Sequence, residues 1–468
     1  MEAINRHPTE EPRAADSLIM PATTQQSRAH RFFRWFGAPG RWLSRSRHSR
    51  ALSRRDGIYE YLAKQASARD GSLRRVLPLS TFAGDYYFLI GAEEIRDLMR
   101  HPRMGEGELI GEGRQLHVVA DALGRYRISK ERQDAKQKRN IIAHLVSNPE
   151  RHIEVMRGLS RGLVQSWRET HGPLLVNSDL SEYTVEVYLR AVMNFQGSLD
   201  GVAELLEEQV GLLGESMVYR KSAGFEARFQ QLKQKLVAKI GNDPGLLTTT
   251  EYTDRLKGYI DEHYKSIQDE AFATGLNGAV LAGYIAPFPS FAALVYELGR
   301  HPAYQRALRD EAAGFQGRYA DYIRRDDTLL HACVHEVLRL HPAQPFLFRA
   351  TTRDAMVGGR FVAKGSELVA DVYHVLRLPE LWGSDAQSFR PERFREQPER
   401  YRQPFLVYSS GPNNCTGQMF SRLSLKVLLA ELVEGCRWQV TNGEFKHEFH
   451  FALAMSQPVE IRTEEIGS

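Results

Sequence analysis

A cysteine in a glycine-containing loop is the residue of this chain best placed to do chemistry. Residues 405–432 read FLVYSSGPNNCTGQMFSRLSLKVLLAEL, with Cys415 in the loop and an amphipathic helix predicted directly after it. The first N–H groups of such a helix point back at the sulfur and stabilise a thiolate, the form of cysteine that binds metals. Gly411 and Gly417 flank the sulfur and let the backbone approach a flat cofactor closely. An ordinary buried free cysteine is the alternative, so this loop by itself does not establish a site.

Two segments upstream hold charged residues that can pair in the core. The first, HEVLRLHPAQPFLFR, spans residues 335–349. Its Glu336 and Arg339 are three residues apart on a predicted helix, so they share a face and can form a charge-assisted pair. The second, SFRPERF at residues 388–394, contains Arg393, which can join the pair in a buried, multiply hydrogen-bonded form.

The same helix also offers an alternative chemistry. His331, His335 and Glu336 have the spacing of metal ligands on one helix face, so a zinc site is a second interpretation. No separate cluster of ligand residues supports it. The pairing of Glu336 with arginine is therefore the expectation.

The most apolar stretch of the chain is a second feature with chemical consequences. Residues 271–296 contain no charged side chain and are long enough to cross a bilayer. The stretch holds Asn277, Pro287 and Pro289 and lacks a basic flank, so we expect a fully buried central helix rather than a membrane span. Because Pro287 has no N–H, the carbonyl of Gly283 loses its helical donor, which predicts a kink.

The elements that must position these residues are mostly helical. Residues 74–90 contain two β-rich runs with a short polar link, which predicts a hairpin, and GAEEIRDLMRH after them has helical periodicity. Helical patterns dominate residues 126–300. A second β region follows Arg349, with turns at Gly358-Gly359 and Gly365. The predicted fold class is mostly α with a smaller β region.

Composition bounds the class of protein. The chain has 468 residues, of which 42% are hydrophobic and 26% charged, a balance typical of a globular enzyme. A net charge of +4 gives no argument for nucleic acid binding, and we expect none. Three cysteines are too few for a disulfide framework and favour the cytoplasm. The polar, acidic N-terminus predicts no secretory signal.

A basic segment precedes the main body of the chain. Residues 28–55 carry nine arginines and no acidic residue, interleaved with phenylalanine and tryptophan. The pattern is typical of an arm that rests on an anionic membrane surface or an acidic partner. The alternative is a solvated segment whose aromatic rings pack on the main body. We therefore divide the chain into an arm at residues 1–55 and one domain at residues 56–468.

The order and spacing of the three motifs resemble the cytochrome P-450 superfamily over roughly the last 170 residues. A Glu-x-x-Arg helix is followed by Pro-Glu-Arg-Phe and then by Gly-x-x-x-Cys-x-Gly. The resemblance implies the single-domain cytochrome P-450 fold and haem b as cofactor, with Cys415 as the axial thiolate ligand of the iron. It implies a structural triad of Glu336, Arg339 and Arg393. It places the remaining cofactor contacts at Arg349, Arg139, Tyr408, Gly411, Asn413 and Gly417.

The chain departs from the family where oxygen would be activated. The family places an acid and a threonine in the central helix, and this chain has Ile285 and Ala286 there. Those groups deliver protons to iron-bound oxygen, so their replacement bears on mechanism. Gly283 and Ala286 are nevertheless the predicted catalytic positions, with the freed carbonyl of Gly283 facing the oxygen site.

Other departures concern the cofactor contacts and the pocket. Tyr408 stands in place of the usual phenylalanine, and Asn413 in place of a propionate-binding Arg or His. Arg139 lies in a predicted helix where Ala135 replaces the usual tryptophan, and Lys138 or Arg132 is the alternative to Arg139. The predicted substrate pocket is apolar and aromatic. Its expected lining residues are Tyr284, Phe288, Phe346 and Leu347.

Three functions remain open at this level. The favoured one is an oxygenase that acts on a small organic molecule with electrons from a separate ferredoxin- or flavodoxin-type partner, because the chain has no flavin or nicotinamide motif. The second is peroxide-driven or non-oxygenating haem-thiolate chemistry, such as rearrangement or dehydration. The third is a non-catalytic haem-fold module that recruits a partner protein.

Overall fold

A computed structural model describes the greater part of the chain. The described residues are 19–22, 48, 57–68, 72–80, 85–100, 110–111, 149–218, 224–241, 243, 270–402, 405–410, 414–444, 446–450 and 452–466. Most of the basic segment at 28–55, together with Arg139, Gly411 and Asn413, lies outside them. The predictions made for those positions therefore stay predictions.

Helices make up most of the described structure, in agreement with the predicted fold class. In chain order they are α1 (Ile58–Ala66), α2 (Ala92–Arg100), α3 (Ile153–Glu169), α4 (Asn177–Glu186), α5 (Val202–Val218), α6 (Phe225–Ile240), α7 (Glu270–Ile285), α8 (Pro287–Arg300), α9 (Pro302–Ala313), α10 (Tyr319–Arg324), α11 (Leu329–Leu340), α12 (Val372–Val375), α13 (Pro379–Trp382), α14 (Arg393–Glu396), α15 (Pro398–Arg402) and α16 (Gln418–Gly435). A π-helical turn, Val187–Val192, continues α4.

The strands are short and form small sheets. They are β1 (Ile19–Pro21), β2 (Val76–Ser80), β3 (Asp85–Leu89), β4 (Ile110–Gly111), β5 (Leu174–Leu175), β6 (Phe346–Thr351), β7 (Ala355–Val357), β8 (Arg360–Val362), β9 (Glu367–Asp371), β10 (Arg437–Val440), β11 (His447–His450), β12 (Ala452–Met455) and β13 (Glu460–Glu464). The largest sheet has the order β2-β3-β9-β6-β4. A second sheet, β1-β7-β8, pairs residues of the N-terminal segment with the main body.

The predicted β elements are confirmed. Strands β2 and β3 pair antiparallel with Val76 opposite Leu89, which is the expected hairpin. The glycines at the later turns, Gly358, Gly359 and Gly365, have φ angles of 52°, 73° and 78°. Since side chains with a Cβ rarely adopt this left-handed region, glycine is required where these strands reverse.

The apolar stretch folds into the central helices α7 and α8. By length and composition, Leu276–Arg300 could cross a membrane, and 67% of its most apolar window is buried inside the protein. Fourteen residues from Pro287 to Arg300 form α8, and its inner turns pack against α4, α11 and α16. This packing agrees with the expected buried central helix.

The predicted kink is confirmed as a break between two helices. Helix α7 ends at Ile285 and α8 begins at Pro287, with Ala286 between them at φ −91° and ψ −42°. Pro287 and Pro289 supply no N–H, so the carbonyls of Gly283 and Ile285 both lose their helical donors. The free carbonyl of Ile285 has the same cause as that of Gly283, because Pro289 lies four residues after Ile285.

Candidate functional site

Cys415 lies at the N-terminal end of the long helix α16. Gly417 caps that helix, and a Cβ built on Gly417 would lie 3.9 Å from the Cys415 sulfur, so sulfur and helix start are in contact. The backbone N–H of Cys415 donates to the carbonyl of Tyr408 at 2.9 Å, which closes the loop. The sulfur is therefore held where the partial positive charge of the helix N-terminus stabilises a thiolate.

The other two cysteines are in a different environment. Cys333 and Cys436 are buried, whereas Cys415 is exposed. Burial raises the pKa of the Cys333 thiol well above its usual value and raises that of Cys436 to about 11. Of the three, Cys415 alone combines exposure with a helix N-terminus, as a metal-binding thiolate requires.

Arg349 supplies a buried cation on strand β6. Its side chain is 1% exposed, and its Nη1 donates to the Phe348 carbonyl at 2.8 Å. Its Nη2 lies 3.3 Å from the sulfur of Met99 on α2. Both of these contacts are with neutral groups. The N–H groups of a buried guanidinium are suitable hydrogen-bond donors for a carboxylate of a bound cofactor.

Glu336, Arg339 and Arg393 form one buried hydrogen-bonded cluster. Arg339 donates to both carboxylate oxygens of Glu336, at 2.7 and 2.8 Å, and Arg393 donates to Oε1 at 3.0 Å. The backbone N–H of Arg390 also donates to Oε1, at 2.8 Å. All three side chains are 0% exposed, so the carboxylate and guanidinium charges compensate each other where water does not reach. The cluster ties α11 to the segment that carries α14.

The zinc interpretation of this helix finds no support in the structure. Glu336 is committed to the two arginines, and the rings of His331 and His335 stack with centroids 3.9 Å apart. Among the described residues, no group of three His, Cys, Asp or Glu side chains is arranged to hold a metal ion. His335 instead packs against Phe405, at the start of the cysteine loop, with ring centroids 5.0 Å apart.

The lowered pKa values of three histidines predict that stability depends on pH. Burial lowers the pKa of His335 well below its usual value and also lowers the pKa of His331 and His447. The unfolded chain then binds more protons than the native state below about pH 6.5, so the free energy of unfolding falls as pH falls. We expect a slope of roughly 1.4 kcal/mol per pH unit for each histidine that stays neutral.

Urea unfolding at pH 7.5, 6.5 and 5.5 measures this slope. A His335→Phe variant, which keeps an aromatic ring in place, should show a shallower dependence than the unsubstituted protein. An unfolding free energy that stays constant or rises on acidification over this range would contradict the prediction.

Gly283 is in close contact with an aromatic ring. A Cβ built at Gly283 would lie 2.4 Å from Cδ2 of Tyr188, in the π-helical turn, closer than real Cβ contacts allow. Tyr188 is itself buried and packs edge-on against Phe420 of α16, with centroids 6.4 Å apart. Glycine here permits the central helix to approach this ring, a requirement that the motif by itself did not reveal.

A Gly283→Ala substitution should therefore destabilise the protein. Overpacking of this kind costs about 1–3 kcal/mol because the Tyr188 ring must move. Gly162→Ala in α3 is the matched control, since Gly162 is exposed and nothing lies within 4 Å of its built Cβ. The control should gain roughly 0.5–1 kcal/mol from helix propensity. Equal effects at the two glycines, measured by urea unfolding, would disprove the contact.

Residues near the end of α7 and at the helix break differ in exposure. Ala282 is exposed and Ala286 is half-buried, whereas Leu281 and Ile285 are buried. The carbonyl of Ala286 accepts a hydrogen bond from the Ser290 hydroxyl at 2.9 Å. Ala282 and Ala286, four residues apart, thus form one accessible face that carries neither an acid nor a hydroxyl.

Two of the predicted pocket residues are used in packing. The hydroxyl of Tyr284 is 2.7 Å from the Ser181 hydroxyl and donates to Glu207 at 3.2 Å. Phe346 lies in an aromatic cluster with Tyr59, Phe88 and Phe449. Both side chains are buried, and their place in the pocket stays a prediction.

The other two pocket positions are more accessible. Phe288 is half-buried and stacks on Tyr284 with ring planes 6° apart, and Leu347 is also half-buried. All four positions therefore stay predicted pocket residues.

Comparison with known proteins agrees with this geometry. The family model for "Cytochrome P450" matches residues 261–463, which include the central helices, the buried ion cluster and Cys415. Cytochrome P450 4F12 from Homo sapiens is 30% identical over 227 residues, 47% of this chain and 43% of that protein. Cytochrome P450 4F5 from Rattus norvegicus is 30% identical over 213 residues, 42% of this chain and 40% of that protein. Cytochrome P450 3A25 from Mus musculus is 29% identical over 230 residues, 48% of this chain and 45% of that protein.

The matched region spans less than half the length of these curated relatives. The residues inside it fit haem b. They provide one exposed thiol at a helix N-terminus and one buried guanidinium on strand β6. With these motifs and the buried ion cluster, residues 261–463 of the chain are similar to the cytochrome P450 family, whose cofactor is haem b with an axial cysteine thiolate.

Proposed function

We propose that this chain is a haem-thiolate monooxygenase that acts on a small organic substrate, with Cys415 as the axial ligand. One observation carries the proposal: Cys415 is the exposed thiol, and it is held against the start of α16 by its bond to Tyr408. Bound there, haem iron would supply the oxygen-activating centre, and the thiolate would push electron density onto it. Electrons would come from a separate ferredoxin- or flavodoxin-type protein.

The chain's own residues would have distinct tasks. Arg349 would bind one propionate of the cofactor from strand β6. Arg139, Gly411 and Asn413, which lie outside the described residues, would add further contacts to the cofactor. The cluster of Glu336, Arg339 and Arg393 would hold the cysteine side of the fold rather than take part in chemistry. Ala282 and Ala286 would line the face where substrate and oxygen meet, beside Phe288 and Leu347.

Proton supply is the step for which this chain lacks the usual side chains. Ile285 and Ala286 carry no proton-donating group, so protons would pass through water or substrate hydroxyls held by freed backbone carbonyls. Gly283 and Ile285 provide two such carbonyls next to the helix break. The same absence favours the second candidate, peroxide-driven or non-oxygenating chemistry that needs no delivered protons.

The experiment that separates these candidates begins with haem ligation. The carbon monoxide difference spectrum of the reduced protein should show the red-shifted band of a thiolate-ligated haem, and its absence would refute the proposal. Turnover of a substrate panel is then compared with oxygen plus ferredoxin or flavodoxin and with peroxide alone. Product formed only with peroxide would favour the second candidate.

Ala286→Thr tests the proton supply directly. A hydroxyl at this position should raise the fraction of consumed electrons that appear in product and lower the release of peroxide. Ala286→Val is the matched control, since valine has the shape of threonine without its hydroxyl. If the two variants behave alike, side-chain proton delivery at position 286 does not limit the reaction.

We also propose that the protein is cytoplasmic and that its N-terminal arm, residues 1–55, precedes one haem-thiolate domain at residues 56–468. The arginine-rich composition of residues 28–55 supports a peripheral contact with an anionic membrane or an acidic protein. Binding of the full chain to vesicles with and without anionic lipid tests this contact. Equal binding to both vesicle types would contradict the contact with an anionic membrane.

A further inference from the structure

Tyr408 connects the two sides of the cysteine loop. Its carbonyl accepts the backbone N–H of Cys415 at 2.9 Å, and its hydroxyl donates to the Ser421 hydroxyl oxygen at 3.2 Å. Ser421 lies in the first turn of α16, where its own N–H donates to Gly417 at 2.8 Å. One residue thus bonds both to the cysteine backbone and to the helix that follows the cysteine.

These bonds form a closed ring that includes the backbone of Cys415. The ring passes from the Tyr408 carbonyl to Cys415, along the chain to Gly417, through the first turn of α16 to Ser421, and back to the Tyr408 hydroxyl. Phenylalanine at position 408 would keep the backbone bond and open the ring at the hydroxyl. The hydroxyl bond is therefore a separate restraint on where the loop sits relative to the helix.

The loop has a conformation that needs such a restraint. Ser409 has a φ angle of 63°, in the left-handed region that a residue with a Cβ enters only at a cost. Its N–H donates to the Leu406 carbonyl at 2.9 Å, which makes a tight turn directly at Tyr408. The bonds of Tyr408 to Cys415 and to Ser421 restrain this turn and oppose its relaxation.

The environment of the Tyr408 ring keeps the restraint intact. The guanidinium of Arg422 lies 5.5 Å from the ring centroid, within range of a cation–π attraction. Hydroxyl and ring are thus both bound to the first two turns of α16.

We propose that Tyr408 is a positioning residue that fixes the Cys415 sulfur at the N-terminus of α16, and that its hydrogen bond to Ser421 slows loss of the thiolate ligand. The inference rests on the proposed function, since it requires that Cys415 ligate haem. It goes beyond that function by assigning a task to the hydroxyl that distinguishes Tyr408 from phenylalanine.

The test measures, in the full-length holoprotein, how fast the thiolate-type carbonyl spectrum converts to the non-thiolate type on mild heating. Tyr408→Phe and Ser421→Ala should each speed the conversion about fivefold, the effect of losing one ordinary hydrogen bond. The double variant should be no faster than either single variant, because both remove the same bond. Tyr304→Phe is the control, since the Tyr304 hydroxyl donates to Glu392 away from the loop.

The possible outcomes separate the two proposals. A normal thiolate band in the unsubstituted protein, with Tyr408→Phe converting at the unsubstituted rate, would overturn the positioning role alone. Additive effects of the two substitutions, or an equal effect of Tyr304→Phe, would also overturn it. An unsubstituted protein with no thiolate band would refute the proposed function and the positioning role together.

Discussion

Replacing Cys415 with serine should abolish the thiolate-type carbonyl spectrum and all oxygen-dependent turnover. Serine matches cysteine in shape, but its hydroxyl is not deprotonated at neutral pH and does not donate electron density to iron as a thiolate does. The helix start at Gly417 and the backbone bond to Tyr408 do not depend on the sulfur, so the fold should remain. Reduced-carbonyl difference spectra and circular dichroism of the variant measure the two effects separately.

The other cysteines serve as controls for this substitution. Cys333 and Cys436 are buried and their thiols have raised pKa values, so Cys333→Ala and Cys436→Ala should keep the thiolate band. Loss of the thiolate band in either control, in a protein that still folds, would show that Cys415 is not the axial ligand. Retention of the thiolate band in Cys415→Ser would lead to the same conclusion.

Replacing Glu336 with glutamine should destabilise the protein by about 3–5 kcal/mol. The substitution preserves shape but removes the negative charge that Arg339 and Arg393 surround. It leaves the buried Arg339 without its carboxylate partner and Arg393 with only Asp385, at 3.4 Å. All three side chains are 0% exposed, so water does not replace the lost interaction. We expect little folded holoprotein at 37 °C and a large drop in the urea midpoint of what is recovered.

Glu396→Gln is the matched control for this prediction. Glu396 is also a carboxylate paired with an arginine in the same segment, Arg390, at 2.5 Å. Its side chain is 50% exposed and that of Arg390 is 42% exposed, so solvent screens the pair and its loss should cost about 0–1 kcal/mol. Equal destabilisation by the two substitutions would show that burial is not what makes Glu336 important.

Much of the site follows from local rules that the chain itself displays. The spacing of Glu336 and Arg339 on one helix determines that they share a face, and Pro287 determines where the central helix must break. The hairpin of β2 and β3 follows from two β-rich runs close together in the chain. Each of these features depends on neighbours within a few residues, and the structure has each of them.

Contacts between distant segments could not be predicted in the same way. The ring of Tyr188 lies against Gly283, 95 residues later, and Glu207 accepts a hydrogen bond from Tyr284. The ring of Phe346 belongs to an aromatic cluster drawn from four separate segments, which its position in the chain does not reveal. Helix periodicity states which residues share a face, and it does not state which element will cover that face.

The amino-acid sequence by itself determined the chemistry available to this protein: a cysteine before a helix, a carboxylate with two arginines, and a central helix without an acid or hydroxyl. In the central helix the absence concerns positions 285 and 286 alone, where isoleucine and alanine carry neither an acid nor a hydroxyl. Residue types and short spacings decide what a side chain can donate, accept or ligate. Only the tertiary structure decided which of these groups are buried and which are exposed. It also decided that Tyr408 bonds to both Cys415 and Ser421. The reason is that burial and long-range contact depend on how whole elements pack against each other.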